Sequence, residues 1–319
     1  ANMVAHEGDL DGAGKFFREL KEIGIDAVII SDPALIEICA MEAPGLPIHL
    51  STQASAANYE TLNFWQEEGL ERIVLARELR VFADRPFAVQ DTLGRLLADN
   101  ANTYVFALEQ GGHCLIGATP ERLVRSEGNR LMSTCLAGSI ARGRTEEEDE
   151  ALGKALYYDM KNVHEHKLTV RMIGETMRRH CEHVEMPEGM ILYKLKDIQH
   201  LYTPVTGEAK EGVTILKLVE ELHQTPALGG LPRKEALEWI RRREPLDRGW
   251  YAGPIGWMNR RLDGEFAVAI RSALLRGKEA SLFAGCGIVA DSEPLSEYHE
   301  TALKFKPMLS ALGALEDGR

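Results

Sequence analysis

The chain has 319 residues, 45% of them hydrophobic and 27% charged, with a formal net charge of −12. That length suits about two globular domains, and the acidic balance argues against nucleic acid or an anionic membrane as partner. An anionic small molecule stays possible, because a local basic pocket or a bound cation overrides the global field.

The opening ANMVAHEGDLDG has neither the basic start nor the apolar core of a signal peptide, and it begins without Met, as a trimmed or partial chain does. Residues 10–23 then predict a helix with Phe16, Phe17, Leu20 and Ile23 on one face. A theme follows. Gly24, Gly45 and Gly69 each head a short apolar run, with helical stretches at 33–42 and 55–68 between the runs. Strand–helix–strand at this spacing predicts parallel strands with crossover helices, a partial (β/α) segment over residues 1–80. Beyond residue 80 the rhythm changes. Residues 88–98 predict an amphipathic helix, and 103–120 two strands turning at Gly111-Gly112. Residues 131–140 predict another strand, and about 145–182 one long helix opened by Thr145 and Glu148 as a capping box. HLYTPVTG, GWYAGPIGWM, GEFAVAIRSALL and EASLFAGCGIV predict short strands, and 294–312 a final helix. The second part, 72–319, therefore reads as α+β with mostly antiparallel sheet. No run of some 18 apolar residues predicts a membrane span. Cys39, Cys114, Cys135, Cys181 and Cys286 stand singly, as reduced thiols of a cytoplasmic protein do.

Several residues could carry chemistry. Glu297, Glu300 and Lys304 fall on one face of the final helix. A solvated ion-paired face accounts for them, but Gly285 and Gly287 lie just before, where backbone can approach a ligand closely. Asp159, Asn162, Glu165 and His166 share helical spacing in the long helix. If Glu165 and Glu300 converge, they form a hard-oxygen site suited to Mg2+. Glu121 follows a Pro at a strand-to-turn boundary, and His200 sits at a strand edge. Tyr251 and Arg271 fall on predicted strands, and a buried Arg needs an anion, for which a carboxylate serves well.

Taken together, IGATPERLV (116–124), LAGSIARG (136–143), HEH (164–166), QHLYTPVTG (199–207), TPALGGLPR (225–233), DRGWYAGPIGW (247–257), GEFAVAIRSALL (264–275) and FAGCGIVADSEPLSEYHETALKF (283–305) resemble the chorismate-utilising enzymes. The wording is most similar to the isochorismate synthases of the menaquinone pathway, with siderophore-pathway relatives. The resemblance implies an antiparallel β-sandwich with outer helices. It also implies Mg2+-dependent conversion of chorismate to isochorismate by water addition at C2 with loss of the C4 hydroxyl, in a cytoplasmic monomer without nucleic-acid or membrane partners. Glu165 and Glu300 look like the metal ligands, with Glu297 supporting through water. Tyr251, Arg271, Lys304 and the backbone at Gly285 and Gly287 would bind the enolpyruvyl carboxylate. Glu121 looks like the general acid for the C4 hydroxyl, and His200 would orient the ring carboxylate or the leaving group. Ala137, beside Gly138 and Ser139, stands where aminodeoxychorismate synthases of one type carry a nucleophilic Lys, which leaves water or ammonia as the nucleophile.

Three positions depart from that pattern. Arg72 occupies the position of the Lys that serves as general base, Leu295 replaces an acidic residue, and Gln224 replaces a Pro. Arginine keeps its proton at working pH, so impaired turnover is expected. Residues 1–80 resemble instead the N-terminal barrel segment of the collagenase-like peptidase family, some of whose members act in tRNA hydroxylation; both families share a strand close to RIVLAREL. Two alternatives therefore stand beside the enzyme: a non-catalytic chorismate-binding hybrid in which Arg72 adds an anion contact, and a peptidase-like or RNA-modifying protein.

Overall fold

The computed structural model describes residues 12–24, 28–30, 33–46, 48–50, 70–223, 229–289, 292 and 294–314. The chain forms two compact units, residues 1–61 and 62–319. No helix among the described residues is long and apolar enough to cross a membrane.

In the first unit, α1 (Ala13–Ile23), β1 (Val28–Ile30), α2 (Pro33–Glu42) and β2 (Ile48–Leu50) follow one another. The two strands are parallel, Val28 opposite Ile48, as the crossover spacing requires. Gly24 closes α1 in the left-handed region at φ 78°. Phe17, Leu35, Cys39 and Leu46 form the core. The predicted apolar face of α1 is only partly used, since Phe17 is buried while Phe16 and Ile23 are exposed. The helix expected at 55–68 lies outside the described residues.

The third apolar run belongs to the second unit. It becomes β3 (Arg72–Phe82), followed by α3 (Val89–Asp99), β4 (Tyr104–Gln110), β5 (His113–Thr119), β6 (Arg122–Glu127) and β7 (Arg130–Ala141). Next come α4 (Glu146–Tyr158), α5 (Met160–His180), β8 (Cys181–Glu185), β9 (Ile191–Lys194) and β10 (Ile198–Ala209). The chain continues with α6 (Ile215–Leu222), β11 (Gly230–Leu231), α7 (Arg233–Arg243) and β12 (Pro254–Met258). It ends with β13 (Gly264–Val268), β14 (Ser272–Arg276), β15 (Glu279–Ile288) and α8 (Pro294–Leu312). One sheet runs β12-β13-β6-β7-β10-β8, with β9 also on β10; the other runs β11-β3-β15-β14-β5-β4. Neighbours in both are antiparallel, which is the expected α+β class.

Three expectations on element boundaries need correction. The long helix is two helices. Asp159 ends α4 and caps α5, its Oδ1 accepting from Asn162 N at 2.8 Å. Thr145 does cap α4, but the Glu148 carboxylate turns to the Arg144 N–H. GEFAVAIRSALL is likewise two strands, in different sheets, and Arg271 sits in the break at φ 51° rather than on a strand. Tyr251 occupies a turn ahead of β12, next to Ala252 at φ 62°.

Side-chain alternation along β15 sorts two cores. Leu282 and Ala284 pack with Phe305 and Met308 of α8, whereas Phe283 points the other way and joins Val205, Ile173 and Leu218. Gly285 and Gly287 share the face of Phe283. Opposite them, in register, stand Ala76 and Val74 of β3. Leu282 is fully buried, so Leu282→Ala is expected to cost about 2–5 kcal/mol, measurable as a lower urea midpoint.

Candidate active site

A cavity of about 50 Å³ lies within the second unit, and most of the residues singled out from sequence line it. β3 contributes Arg72 and Val74; β7 contributes Ala137, Gly138 and Ser139; β10 contributes His200. Glu121 enters from the β5–β6 connection and Tyr251 from its turn. Arg271, Gly285, Gly287, Glu165, Glu300 and Lys304 also line it. Glu297 is not on the wall. It is buried behind it, its Oε1 2.6 Å from Lys161 Nζ.

Local backbone explains much of this convergence. Gly138, at φ 79°, forms a bulge in β7, so that Ser139 pairs with His200 while Ala137 pairs with Leu201. A Cβ on Gly287 would collide with Arg72 and Glu165, and one on Gly285 would crowd the Tyr251 hydroxyl. The two glycines therefore leave room for side chains as well as for a ligand. α5 and α8 each present one face. Glu165 comes from the first, Glu297, Glu300 and Lys304 from the second, as helical spacing predicts.

The charges are closely matched. Arg72 Nη2 donates to Glu165 Oε1 at 2.5 Å, both side chains almost fully buried. Lys304 Nζ donates to Glu300 Oε1 at 2.5 Å and to the Gly285 carbonyl at 2.9 Å. Burial lowers the pKa of the Lys161 ammonium, but Glu165, Glu300 and Glu297 outweigh it and raise it above the usual lysine range. Lys161 thus sits among all three carboxylates. Burial and Glu300 push Glu297 up, while for Glu300 the pull of Lys304 and Lys161 overcomes burial and holds it low. The Glu121 carboxyl, fully enclosed, is pushed up to about 7 by burial against the pull of Arg271, Arg72 and Lys304. Burial, then Arg271 and Lys304, push the His200 imidazole down to about 3. His200 Nδ1 lies 2.9 Å from Ser139 Oγ and 3.2 Å from the Gly138 carbonyl, while its buried Nε2 has no partner among the described residues. A carbonyl can only accept, so Nδ1 carries the proton and Nε2 offers a lone pair to the cavity. Burial raises the Tyr251 phenol to about 12, and its ring stacks on Phe283 with centroids 5.3 Å apart.

Glu165, Glu300 and Glu297 are hard-oxygen donors of the kind Mg2+ uses. The donor chemistry fits a divalent ion, yet each carboxylate already faces a cation of the chain. Among the described residues no group of three His, Cys, Asp or Glu side chains closes on one point as a metal cage would. Mg2+ needs no such cage, since it keeps waters and takes one or two carboxylates with the substrate. Of the remaining candidates, Asp159 is spent as a helix cap, His166 is a buried structural residue bonded to Thr203 at 2.8 Å, and Leu295 is exposed. Gln224 lies outside the described residues.

Lys161 was not anticipated, although its spacing of four from Glu165 was a readable signal. Nor were Glu244 and Arg248. They pair at 2.6 Å and cover the open edge of β3, Glu244 accepting from Ala76 N and Arg248 donating to the Val74 carbonyl.

Comparison with known proteins places the chain in a family. The sequence model of the family described as chorismate binding enzyme matches residues 53–313, and that of peptidase family U32 matches residues 1–83. Both cover the beginning of β3. Isochorismate synthase MenF of Bacillus subtilis (strain 168) is 52% identical over 248 residues, 78% of this chain and 53% of that protein. The salicylate biosynthesis isochorismate synthase of Pseudomonas aeruginosa is 44% identical over 251 residues, 77% of this chain and 52% of that protein. The chain thus spans about half the length of these curated relatives. Among solved structures, the 2,3-dihydroxybenzoate-specific isochorismate synthase DhbC of Bacillus anthracis superposes with a TM-score of 0.78 at 36% identity, covering 80% of this chain and 70% of that one. The menaquinone-specific isochorismate synthase MenF of Escherichia coli gives a TM-score of 0.74 at 25% identity, covering 88% and 68%. With the family model spanning most of its length and these residues gathered in one cavity, the chain belongs to the chorismate binding enzymes.

Proposed function

We propose that the chain binds chorismate and converts it to isochorismate, adding water at C2 as the C4 hydroxyl departs, at a rate lowered by Arg72. The observation that carries the reading is the buried Glu121, its carboxyl pushed up to about 7, in a cavity walled by Arg271, Lys304 and Tyr251. A dianion entering there meets fixed cations, and its approach raises the Glu121 pKa further. Arg271, Tyr251 and Lys304 hold the enolpyruvyl carboxylate. Glu121 delivers its proton to the C4 oxygen as the C–O bond breaks and the double bonds shift. The bare Nε2 of His200 accepts from a hydroxyl and repels a carboxylate, so His200 orients the C4 hydroxyl rather than the ring carboxylate. Ala137 presents no nucleophile, which leaves water or ammonia; water gives the proposed product, and the proton it loses on attack passes to solvent because Arg72 cannot take it. Mg2+ is the expected cofactor: Glu165 and Glu300 would hold it with Glu297 behind them, and it would neutralise the ring carboxylate.

A second reading, chorismate binding without turnover, is favoured by the buried Arg72–Glu165 pair, because nothing at position 72 can take a proton from water. No activity is assigned to the peptidase-like match over residues 1–83. The deciding assay mixes the full chain with chorismate and Mg2+ and follows isochorismate by chromatography. Slow but enzyme-dependent product supports the enzyme; saturable binding with no product supports the second reading; neither binding nor product overturns both.

A further inference from the structure

Arg72 is almost fully buried and lines the cavity, yet Glu165 uses only one of its five N–H donors. Among the described residues Nε and Nη1 have no acceptor. Buried donors of a permanent cation are costly unless an anion or other acceptor meets them. Gly287 is what admits the guanidinium, since any side chain there would strike Arg72 and Glu165 together. The three carboxylates are also balanced within the chain: Arg72 on Glu165, Lys161 on Glu297 and Lys304 on Glu300. A divalent ion that enters must compete with these resident charges, and at Glu165 its competitor cannot lose its proton.

We propose that Arg72 is the resident cation of this site: it holds Glu165 and receives a carboxylate of the dianionic ligand on its free donors, so that ligand binding does not require a divalent ion and a divalent ion binds weakly. This rests on chorismate being the ligand. Arginine suits the role because its planar fork can engage one carboxylate on one edge and present its remaining donors to another. A lysine at position 72 has one compact ammonium and would leave Glu165 freer to take a metal.

The test is chorismate binding to the full chain by titration calorimetry, once in EDTA and once in excess Mg2+. The native chain is expected to bind in EDTA, with Mg2+ tightening the affinity by less than about fivefold, the lower end of ordinary coupling between sites. In Arg72→Lys, Mg2+ is expected to tighten binding by about tenfold or more. Mn2+ binding without chorismate, read by electron paramagnetic resonance, is expected to be weaker in the native chain than in Arg72→Lys. Tightening of native binding by about fivefold or more, or equal Mn2+ affinity in both proteins, overturns the inference and leaves the chorismate reading standing. Absence of chorismate binding under both conditions overturns both. The native-chain comparison needs no variant, so a poorly folding substitution does not spoil the result.

Discussion

Replacing Glu121 with Gln is expected to lower isochorismate formation by on the order of 10²–10⁴-fold, the usual range for losing a general acid or base. The side chain keeps its shape and loses its transferable proton. In the native chain, burial raises the carboxyl to about 7 although Arg271, Arg72 and Lys304 pull it down. The acid form is the active one, so kcat/KM should fall as pH rises through about 7. The same shift bears on stability. A carboxyl whose folded pKa lies above its unfolded value contributes stability that is complete below the unfolded value and is lost as pH rises through the folded one. The urea midpoint of the native chain should therefore drop as pH rises from the ordinary carboxyl value of 4.5 to about 7 and level off by about pH 8, and Glu121→Gln should flatten that drop. Rate measurements and urea melts across that range check both. A pH-independent midpoint and an unimpaired Gln variant would remove Glu121 from the role.

Arg72→Lys is expected to raise turnover by on the order of 10²–10⁴-fold, the reverse of losing a base. Position 72 faces the cavity from the start of β3, beside Glu165 and in coulombic reach of Glu121. A lysine there can shed its proton, as a guanidinium cannot. Isochorismate formation by both proteins under matched Mg2+ measures the gain. If the Lys variant folds, binds chorismate and stays as slow as the native chain, the missing base is not what limits this protein.

Some of this was local enough to read directly. The Gly111-Gly112 hairpin follows from two successive positive-φ residues between alternating runs. The last helix spans 294–312 as periodicity and a leading Pro predict, and its Glu297, Glu300 and Lys304 share a face because 3.6 residues make a turn. The motif strings carried the family, and with it many of the residues that line the cavity, though not Val74 or Arg248. What escaped was local strain and distant meeting. Arg271 read as a strand residue because its neighbours are apolar; the break at φ 51° comes from the chain crossing between two sheets, a demand that no window of sequence contains. Asp159 read as part of a cluster on one long helix, whereas it ends one helix and caps the next. Spacing put Lys161 and Glu165 on one helix, but that Lys161 stands among three carboxylates depends on α8 packing nearby. The exchange of a base for a fixed charge was legible at position 72. That the charge is held by Glu165, 93 residues away and through the gap left by Gly287, was a matter of how β3, α5 and β15 come together, because burial decides which ionised groups must find each other.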